Sequence, residues 1–252
     1  MRQITKVKPG YGKFGNLGKR YDEARQGFPQ ETIDRFWRLV GHEQPRVLDL
    51  GCGTGISTRQ LVRPGAKLFG ADNDPEMIRI AERKVDSEIT YCVAPANCLP
   101  FSSETFDAVT AFSAFHWFCD KDSVQEIQRV LKPGGIFFVV NKDDFGDFKK
   151  EYRMILKPFV SNEIPDAKKQ YDPEKILQES GFQKVSKEKK EISEYFTLNH
   201  AIAYFQSVSL WNLVSENKRG EARKALAEHC KKRLNNGFME RPLDITGVVG
   251  IK

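Results

Sequence analysis

Three alternating glycines, Gly51, Gly53 and Gly55, follow a short apolar run that carries one acid, Asp49. The apolar run predicts a buried strand, and the glycines predict a sharp turn into a helix, because glycine adopts positive φ and has no Cβ atom. A ligand can then approach the bare backbone while the next helix presents its N-terminal N–H groups. This turn predicts a site for a nucleotide-like cofactor. An ordinary strand, turn and helix with convenient glycines is the alternative.

Two carboxylates flank the glycine turn and narrow the choice of cofactor. Asp72 lies about 20 residues beyond the first glycine, after a second apolar run, where a doubly wound fold places the acid that binds a ribose. The spacing G-x-G-x-G differs from the G-x-G-x-x-G that holds a pyrophosphate. Asp49, just before the turn, would repel a pyrophosphate and suits a cation. Together these residues predict a cationic cofactor that carries a ribose and no phosphate.

His116 is the residue best placed to act as a base. It follows the fourth predicted strand, on a loop at the edge of the sheet where the active crevice is expected. Histidine titrates near neutral pH, so it could take a proton from a hydroxyl acceptor, whereas a carboxylate acceptor needs no base. The alternative is that His116 and Trp117 only form a wall of the cofactor pocket. The two hypotheses carry equal weight.

The elements that must position these residues alternate between strands and helices. With helices between them, strands are predicted at 47–50, 67–71, 89–93, 106–111 and 136–140. Such alternation over about 100 residues predicts a doubly wound α/β fold, with a mostly parallel sheet and helices on both faces. Asp74 and Pro75 predict the cap and the first residue of a helix, which leaves Asp72 for the ribose. Beyond residue 143 we predict several helices, a long strand over 182–197 and a last strand over 245–251.

Composition and charge favour one large α/β domain of 252 residues. We predict a basic N-terminal arm over residues 1–20 and a single domain over 21–252, with cap-like or inserted helices within 143–240. The net charge is +6, and all six excess charges lie before residue 22. The rest of the chain therefore shows no general surface for a polyanion, although the basic arm leaves nucleic acid binding open.

Membrane, secretory and metal-binding classes are not supported. No apolar run approaches the roughly 20 residues that span a bilayer, and the N-terminus lacks the apolar region of a secretory signal. We therefore expect a cytoplasmic protein without a membrane partner. The five cysteines form no C-x-x-C pair, and no cluster has the spacing of metal ligands, so we expect reduced thiols and no metal.

Several segments resemble the class I S-adenosylmethionine-dependent methyltransferases over roughly residues 21–141. The glycine turn resembles the first motif of that family, whose cofactor carries a sulfonium and an ammonium but no phosphate. The run Ala114-Phe115-His116-Trp117-Phe118 is similar to the trans-aconitate methyltransferase-like branch. The other matching segments are Tyr21-Asp22 with Arg25, Leu99-Pro100-Phe101 before Phe106-Asp107, and Arg129-Val130-Leu131-Lys132-Pro133-Gly134-Gly135. The resemblance implies a seven-stranded sheet whose last strand is antiparallel.

The same resemblance implies which residues hold S-adenosylmethionine. Asp72 would accept hydrogen bonds from both ribose hydroxyls, and Asp49 would stand near the amino acid end. The full set of implied contacts is Tyr21, Arg25, Asp49, Gly51, Cys52, Gly53, Gly55, Asp72, Asn73, Met77, Ala96, Asn97, Phe112, Ser113 and Trp117. The sequence departs from the family at Pro95, where an acid is expected. Asn97 or a backbone group must then bind the adenine amino group.

The sequence as a whole predicts an enzyme that transfers a methyl group from S-adenosylmethionine to a small molecule, a carboxylic acid being one candidate. A methyltransferase for RNA or another nucleic acid is the first alternative, although Phe112-Ser113-Ala114-Phe115 stands where base-amino enzymes carry N/D-P-P-Y/F/W. A non-catalytic S-adenosylmethionine-binding module and a dehydrogenase are the others. No motif identifies the methyl acceptor or the oligomeric state.

Overall fold

The computed structural model describes Asp22 and residues 24–84, 89–160 and 171–252. The first elements in chain order are α1 (Gln30–Val40), β1 (Arg46–Leu50), α2 (Ile56–Gln60), β2 (Lys67–Asp72), α3 (Pro75–Arg83), β3 (Ile89–Val93), β4 (Phe106–Phe112), α4 (Lys121–Val130) and β5 (Leu131–Asp144). They are followed by α5 (Phe148–Leu156), α6 (Pro173–Glu179), β6 (Gln183–Phe196), α7 (Leu198–Ser207), α8 (Arg219–Arg233) and β7 (Met239–Ile251). A 3-10 turn, Phe115–Trp117, follows β4.

The strands form one sheet in the order β3-β2-β1-β4-β5-β7-β6. β1 pairs in parallel with β2 and β4, and parallel pairing continues outward to β3 and β5. β7 runs antiparallel to β5, because Lys252 bonds to Gly134 and Gly135 at one end while Phe145 bonds to Pro242 at the other. The predicted fold class, a doubly wound α/β sheet with an antiparallel last strand, is confirmed.

Local sequence signals explain where individual helices begin and end. The Asp74 carboxylate caps α3 by accepting a hydrogen bond from the Glu76 N–H at 3.0 Å, and Pro75 is the first helical residue. Gly41 ends α1 with φ of 74°, and its N–H donates to the carbonyl of Trp37. The predicted start of α3, with Asp74 as its cap and Pro75 as its first residue, is confirmed.

The predicted starts of two strands are wrong. β5 begins at Leu131 rather than at 136, and β7 begins at Met239 rather than at 245. In β5, the Lys132–Gly135 segment has the composition of a turn, but Gly134 donates a backbone hydrogen bond to Lys252 and Gly135 accepts one from it. A pairing partner more than one hundred residues away therefore overrides the local turn signal.

The chain divides into two compact units. Among the described residues, the sheet unit comprises 26–84, 89–143, 171–190 and 244–252, and the helical unit comprises 22, 24–25, 144–160 and 191–243. The core of the sheet unit includes Leu48, Val109, Phe115 and Phe137, while that of the helical unit includes Phe196, Tyr204, Phe205, Trp211 and Leu226. A single domain with a cap within 143–240 stays a prediction, and the basic arm lies outside the described residues.

The described residues contain neither a candidate membrane span nor a candidate metal site. No helix in these ranges is both long enough and apolar enough to cross a bilayer. No group of three or more histidine, cysteine, aspartate or glutamate side chains in these ranges could hold a metal ion.

Candidate functional site

The glycine turn has the left-handed backbone that its sequence requires. Gly51, Gly53 and Gly55 have φ of 71°, 55° and 77°. Gly55 directly precedes α2 as its N-cap, and the N–H groups of Gly51 and Cys52 both donate to the carbonyl of Ala71 at the end of β2. The turn is therefore attached to two neighbouring strands at the carboxyl edge of the sheet.

The three glycines leave room for different neighbours. A Cβ on Gly51 would lie 2.6 Å from the Cβ of Ala114, and one on Gly55 would overlap the hydroxyl of Tyr91. A Cβ on Gly53 would meet no atom of the described residues within 4 Å. Gly53 is thus the glycine whose bare backbone faces open space, while the other two are required by side chains of the protein itself.

The Asp72 carboxylate is fixed beside this open face. Its Oδ2 accepts a hydrogen bond from the Gly53 N–H at 2.9 Å, and its Oδ1 accepts one from the Asp74 N–H at 2.9 Å. Burial raises the pKa of Asp72, and the two backbone donors act in the opposite direction. Each carboxylate oxygen has a second lone pair, so the group can still accept hydrogen bonds from a ligand.

Asp49 lies at the end of β1, and the three described partners of its carboxylate are hydroxyl groups. Its Oδ2 accepts from Ser57 and Thr58 on α2, and its Oδ1 accepts from Thr110 on β4. These contacts join the strand, the turn and the start of the helix. Its predicted contact with the cofactor stays a prediction, and the structure adds a role in holding the turn.

The predicted adenine contacts follow the ends of β2 and β3. Val93 pairs with Asp72 in the sheet, and the Ala94 N–H donates to the Asp72 carbonyl at 2.9 Å. The segment 95–97 therefore begins next to Asp72. Asn73 and Asn97 are exposed and Ala96 is half-buried, whereas Met77 is buried. Their roles stay predictions, as does that of the buried Cys52.

His116 lies on the 3-10 turn after β4, within the sheet unit. Its ring centroid is 4.8 Å from that of Trp117, which is 38% exposed, and 5.8 Å from that of Tyr171. Phe112 is buried at the end of β4, and Ser113 has φ of 51° and accepts a hydrogen bond from the Lys142 N–H. The sequence predicted none of the neighbours contributed by later segments.

Three neighbours of this edge were missed from the sequence. The Asn141 side chain, buried directly after Val140 of β5, lies 3.3 Å from the Tyr171 hydroxyl. The Gln60 amide accepts from the Phe28 N–H and donates to the Phe28 carbonyl. A polar residue after an apolar strand was the available signal for Asn141, whereas no local pattern indicates the partners of Tyr171 and Gln60.

Two predicted residues at the N-terminal side have different outcomes. Tyr21 lies outside the described residues. Arg25 donates from Nε to the Ser207 hydroxyl at 3.0 Å, and its guanidinium lies 4.7 Å from the ring centroid of Tyr204, within the helical unit. Its contact with the cofactor stays a prediction.

Comparison with known proteins places the chain in a family. A family model described as a methyltransferase domain matches residues 48–139. The chain is 36% identical over 168 residues to demethylmenaquinone methyltransferase of Thermus thermophilus, which covers 60% of this chain and 76% of that protein. It is 34% identical over 122 residues to an uncharacterized methyltransferase of Mycobacterium bovis, covering 48% of this chain and only 49% of that relative's length.

A solved methyltransferase structure has a fold similar to that of this chain. Phosphoethanolamine N-methyltransferase 2 of Haemonchus contortus, solved in complex with S-adenosyl-L-methionine, has a TM-score of 0.56 at 17% identity and covers 98% of this chain and 60% of that one. This likeness concerns the fold alone. Because the identity to the Thermus protein extends over 76% of that protein, the chain belongs to the class I S-adenosylmethionine-dependent methyltransferases, and S-adenosylmethionine is its cofactor.

Proposed function

We propose that the protein transfers the methyl group of S-adenosylmethionine to a small-molecule acceptor. The observation that carries the proposal is the open face of Gly53 beside the Asp72 carboxylate, at the edge of the sheet where parallel α/β folds bind their ligands. A methyltransferase domain that matches residues 48–139 supports it.

The residues at this edge fit the cofactor. Asp72 keeps acceptor capacity for ribose hydroxyls, and Gly53 admits a ligand against its backbone. The hydroxyl oxygen of Thr54 is buried and has no hydrogen-bond partner among the described residues. When bound, the cofactor supplies a methyl group on a positively charged sulfur, which suits the acidic surroundings of Asp49 and Asp72. The chain's own residues must align the acceptor and exclude water.

His116 would suit two kinds of acceptor. If the acceptor is a hydroxyl or carbon acid, His116 takes its proton, and if it is a carboxylic acid, His116 orients it by a hydrogen bond. The Ala114–Phe118 run supports the trans-aconitate-like branch and hence a carboxylic acid. The Thermus relative is named for a different acceptor, demethylmenaquinone. The proposed acceptor is therefore a small molecule, without restriction to carboxylic acids. We also propose that the protein is a single domain and acts in the cytoplasm.

Binding and turnover are measured separately to test the proposal. We expect S-adenosylmethionine at about 100 times its Kd to stabilise the wild type by about 2.7 kcal/mol, and Asp72→Ala to remove most of that effect. Asp107→Asn is the matched control. Asp107 lies near the start of β4, whereas Asp72 lies at the end of β2, and the Asp107 carboxylate accepts hydrogen bonds from the Arg46 N–H and from Lys132. Undiminished stabilisation of Asp72→Ala would refute the ribose assignment.

Turnover is followed as S-adenosylhomocysteine formation over a panel of carboxylic acids, phenols, alcohols and amines. Methylation of a panel member supports the proposal. Tight cofactor binding with no product from any member would favour a non-catalytic binding module. Salt-dependent retention on RNA that is lost on deletion of residues 1–20 would favour the nucleic acid alternative.

A further inference from the structure

Tyr91 packs against the glycine turn from a neighbouring strand. It lies on β3, where its sheet partner is Gly70 of β2. A Cβ on Gly70 would lie 2.5 Å from Cδ1 of Tyr91 and 3.1 Å from the sulfur of Cys52. The Tyr91 ring therefore occupies the space that a side chain on Gly70 would fill, next to the second residue of the turn.

The hydroxyl of Tyr91 reaches the end of the turn. A Cβ on Gly55 would overlap this oxygen, and would lie 3.0 Å from Cζ of the same ring. The hydroxyl oxygen is buried. Burial raises the pKa of Tyr91 to about 12, so the hydroxyl is neutral at physiological pH. Its contact with Gly55 is a packing contact rather than an ionic one.

Gly55 joins the glycine turn to α2. It is the N-cap of α2, and the side chain of Arg59 on that helix donates to the carbonyl of Thr54 at 2.8 Å. The same five-residue turn holds Gly53, whose N–H binds Asp72. A displacement of Gly55 would therefore shift the backbone that faces the ligand.

We propose that Tyr91 is a positioning residue for S-adenosylmethionine binding, which holds the Gly55 end of the turn and thereby fixes Gly53 and Asp72. On this proposal the glycine at 55 is required by Tyr91, and the glycine at 53 by the cofactor. The inference rests on the assignment of S-adenosylmethionine as the ligand of this turn. It does not depend on which acceptor is methylated.

A suppressor experiment separates the two glycines. We expect Gly55→Ala to weaken S-adenosylhomocysteine binding at least about tenfold, measured by calorimetry, and Gly55→Ala/Tyr91→Phe to recover at least about threefold of that loss. Recovery is partial because Cζ stays 3.0 Å from the new Cβ. Gly53→Ala is expected to lose affinity without any recovery in Gly53→Ala/Tyr91→Phe. Equal recovery of both glycine variants, or recovery of neither, would overturn the proposal.

Backbone strain is measured with a third glycine. Gly41 has φ of 74°, close to that of Gly55, and a Cβ there would meet no atom of the described part of the chain nearer than 3.9 Å. Gly41→Ala therefore reports the cost of the left-handed alanine alone, read as a change in Tm. If Gly55→Ala does not fold by circular dichroism, Tyr91→Leu replaces it. We expect about a tenfold loss of S-adenosylhomocysteine affinity in Tyr91→Leu, and wild-type affinity there would refute the role.

Failure of the cofactor assignment would look different from failure of this inference. If the wild type does not bind S-adenosylhomocysteine, the cofactor assignment and this inference both fail. If the wild type binds it but methylates no acceptor, the Tyr91 measurements still apply, and only the proposed catalytic function is affected.

Discussion

The Asp49 carboxylate accepts a hydrogen bond at 2.9 Å from the hydroxyl of Thr110, its partner residue on the neighbouring strand. Two further hydroxyls, of Ser57 and Thr58, bind its other oxygen. Asp49 is only 1% exposed, and burial raises its pKa from 3.8 to about 6 in spite of these three hydrogen bonds. The ionised carboxylate therefore opposes folding at neutral pH.

We expect Asp49→Asn to change the pH dependence of stability. Because the pKa is higher in the folded chain than in the unfolded one, the stabilisation due to Asp49 is present below about pH 4 and is lost as the pH rises through about 6. Between pH 4.5 and 7.5 the wild type should lose about 2 kcal/mol that the variant does not lose. Urea unfolding without cofactor at both pH values measures this difference.

The exposed Asp34 provides the control for this experiment, and Asp34→Asn should follow the wild type. Parallel pH curves for wild type and Asp49→Asn would contradict the assignment of the raised pKa. The same variant should bind S-adenosylmethionine more weakly, because a cationic cofactor would lose a nearby negative charge. Stability gained at neutral pH together with affinity lost would indicate a functional reason for burying the charge.

The side chain of Gln60 holds the segment Gln26–Phe28. It makes two hydrogen bonds to Phe28, of 2.7 and 2.8 Å, while the Lys142 amine donates to the carbonyls of Gln26 and Gly27. We expect Gln60→Ala to destabilise the protein by about 1–2 kcal/mol, because a partly buried N–H and carbonyl lose their partners. Faster hydrogen exchange at Phe28, followed by mass spectrometry, would locate the effect.

A glutamine with an exposed partner serves for comparison. Gln30 donates to Asp34 on the surface of α1, so Gln30→Ala should change stability by less than about 0.5 kcal/mol. Equal effects of the two alanine variants would mean that the contacts of Gln60 with Phe28 contribute no more than a surface hydrogen bond.

Arg241 forms a buried ionic cluster in the helical unit. The guanidinium donates to Asp144 and Glu194, both at 2.7 Å, and lies 4.2 Å from the ring centroid of Tyr204. Arg241→Met should cost about 3–5 kcal/mol, because it leaves the buried Glu194 and the half-buried Asp144 without this cation. The triple variant Arg241→Met/Asp144→Asn/Glu194→Gln should regain much of that loss in thermal unfolding. Arg79→Ala, which breaks a surface pair with Glu76, is the control and should have little effect.

The features of the site that depend on residues close together in the sequence could be predicted. The positive φ of the glycines, the Asp74 cap and the location of Asp72 each follow from residues within one strand–helix–strand segment. The neighbours of the glycines could not be predicted, because Tyr91 comes from β3 and Ala114 from the loop after β4. The sequence therefore located the turn without showing that one glycine alone faces open space.

The starts of the two long strands β5 and β7 could not be predicted for a similar reason. Residues 132–135 contain a proline and two glycines, which locally favour a turn, yet they are paired with the end of the chain. The polar, charged start of β7 likewise has no strand pattern of its own. Both segments are strands because they pair with distant parts of the chain, and no signal in the nearby sequence indicates that pairing.

Substitution of His116 distinguishes its two possible roles, general base and pocket wall. If it takes a proton from the acceptor, His116→Ala should lower kcat by about 100-fold or more with little change in the Kd of S-adenosylmethionine. If the acceptor is already ionised, the loss in kcat should be smaller and should accompany a higher KM for the acceptor. His42, which is exposed and lies near Asp107 at the start of β4, is the control, and His42→Ala should keep wild-type kinetics. A loss of cofactor affinity in His116→Ala that exceeds the loss in kcat would instead make His116 a wall of the cofactor pocket, as its ring contacts with Trp117 and Tyr171 also allow.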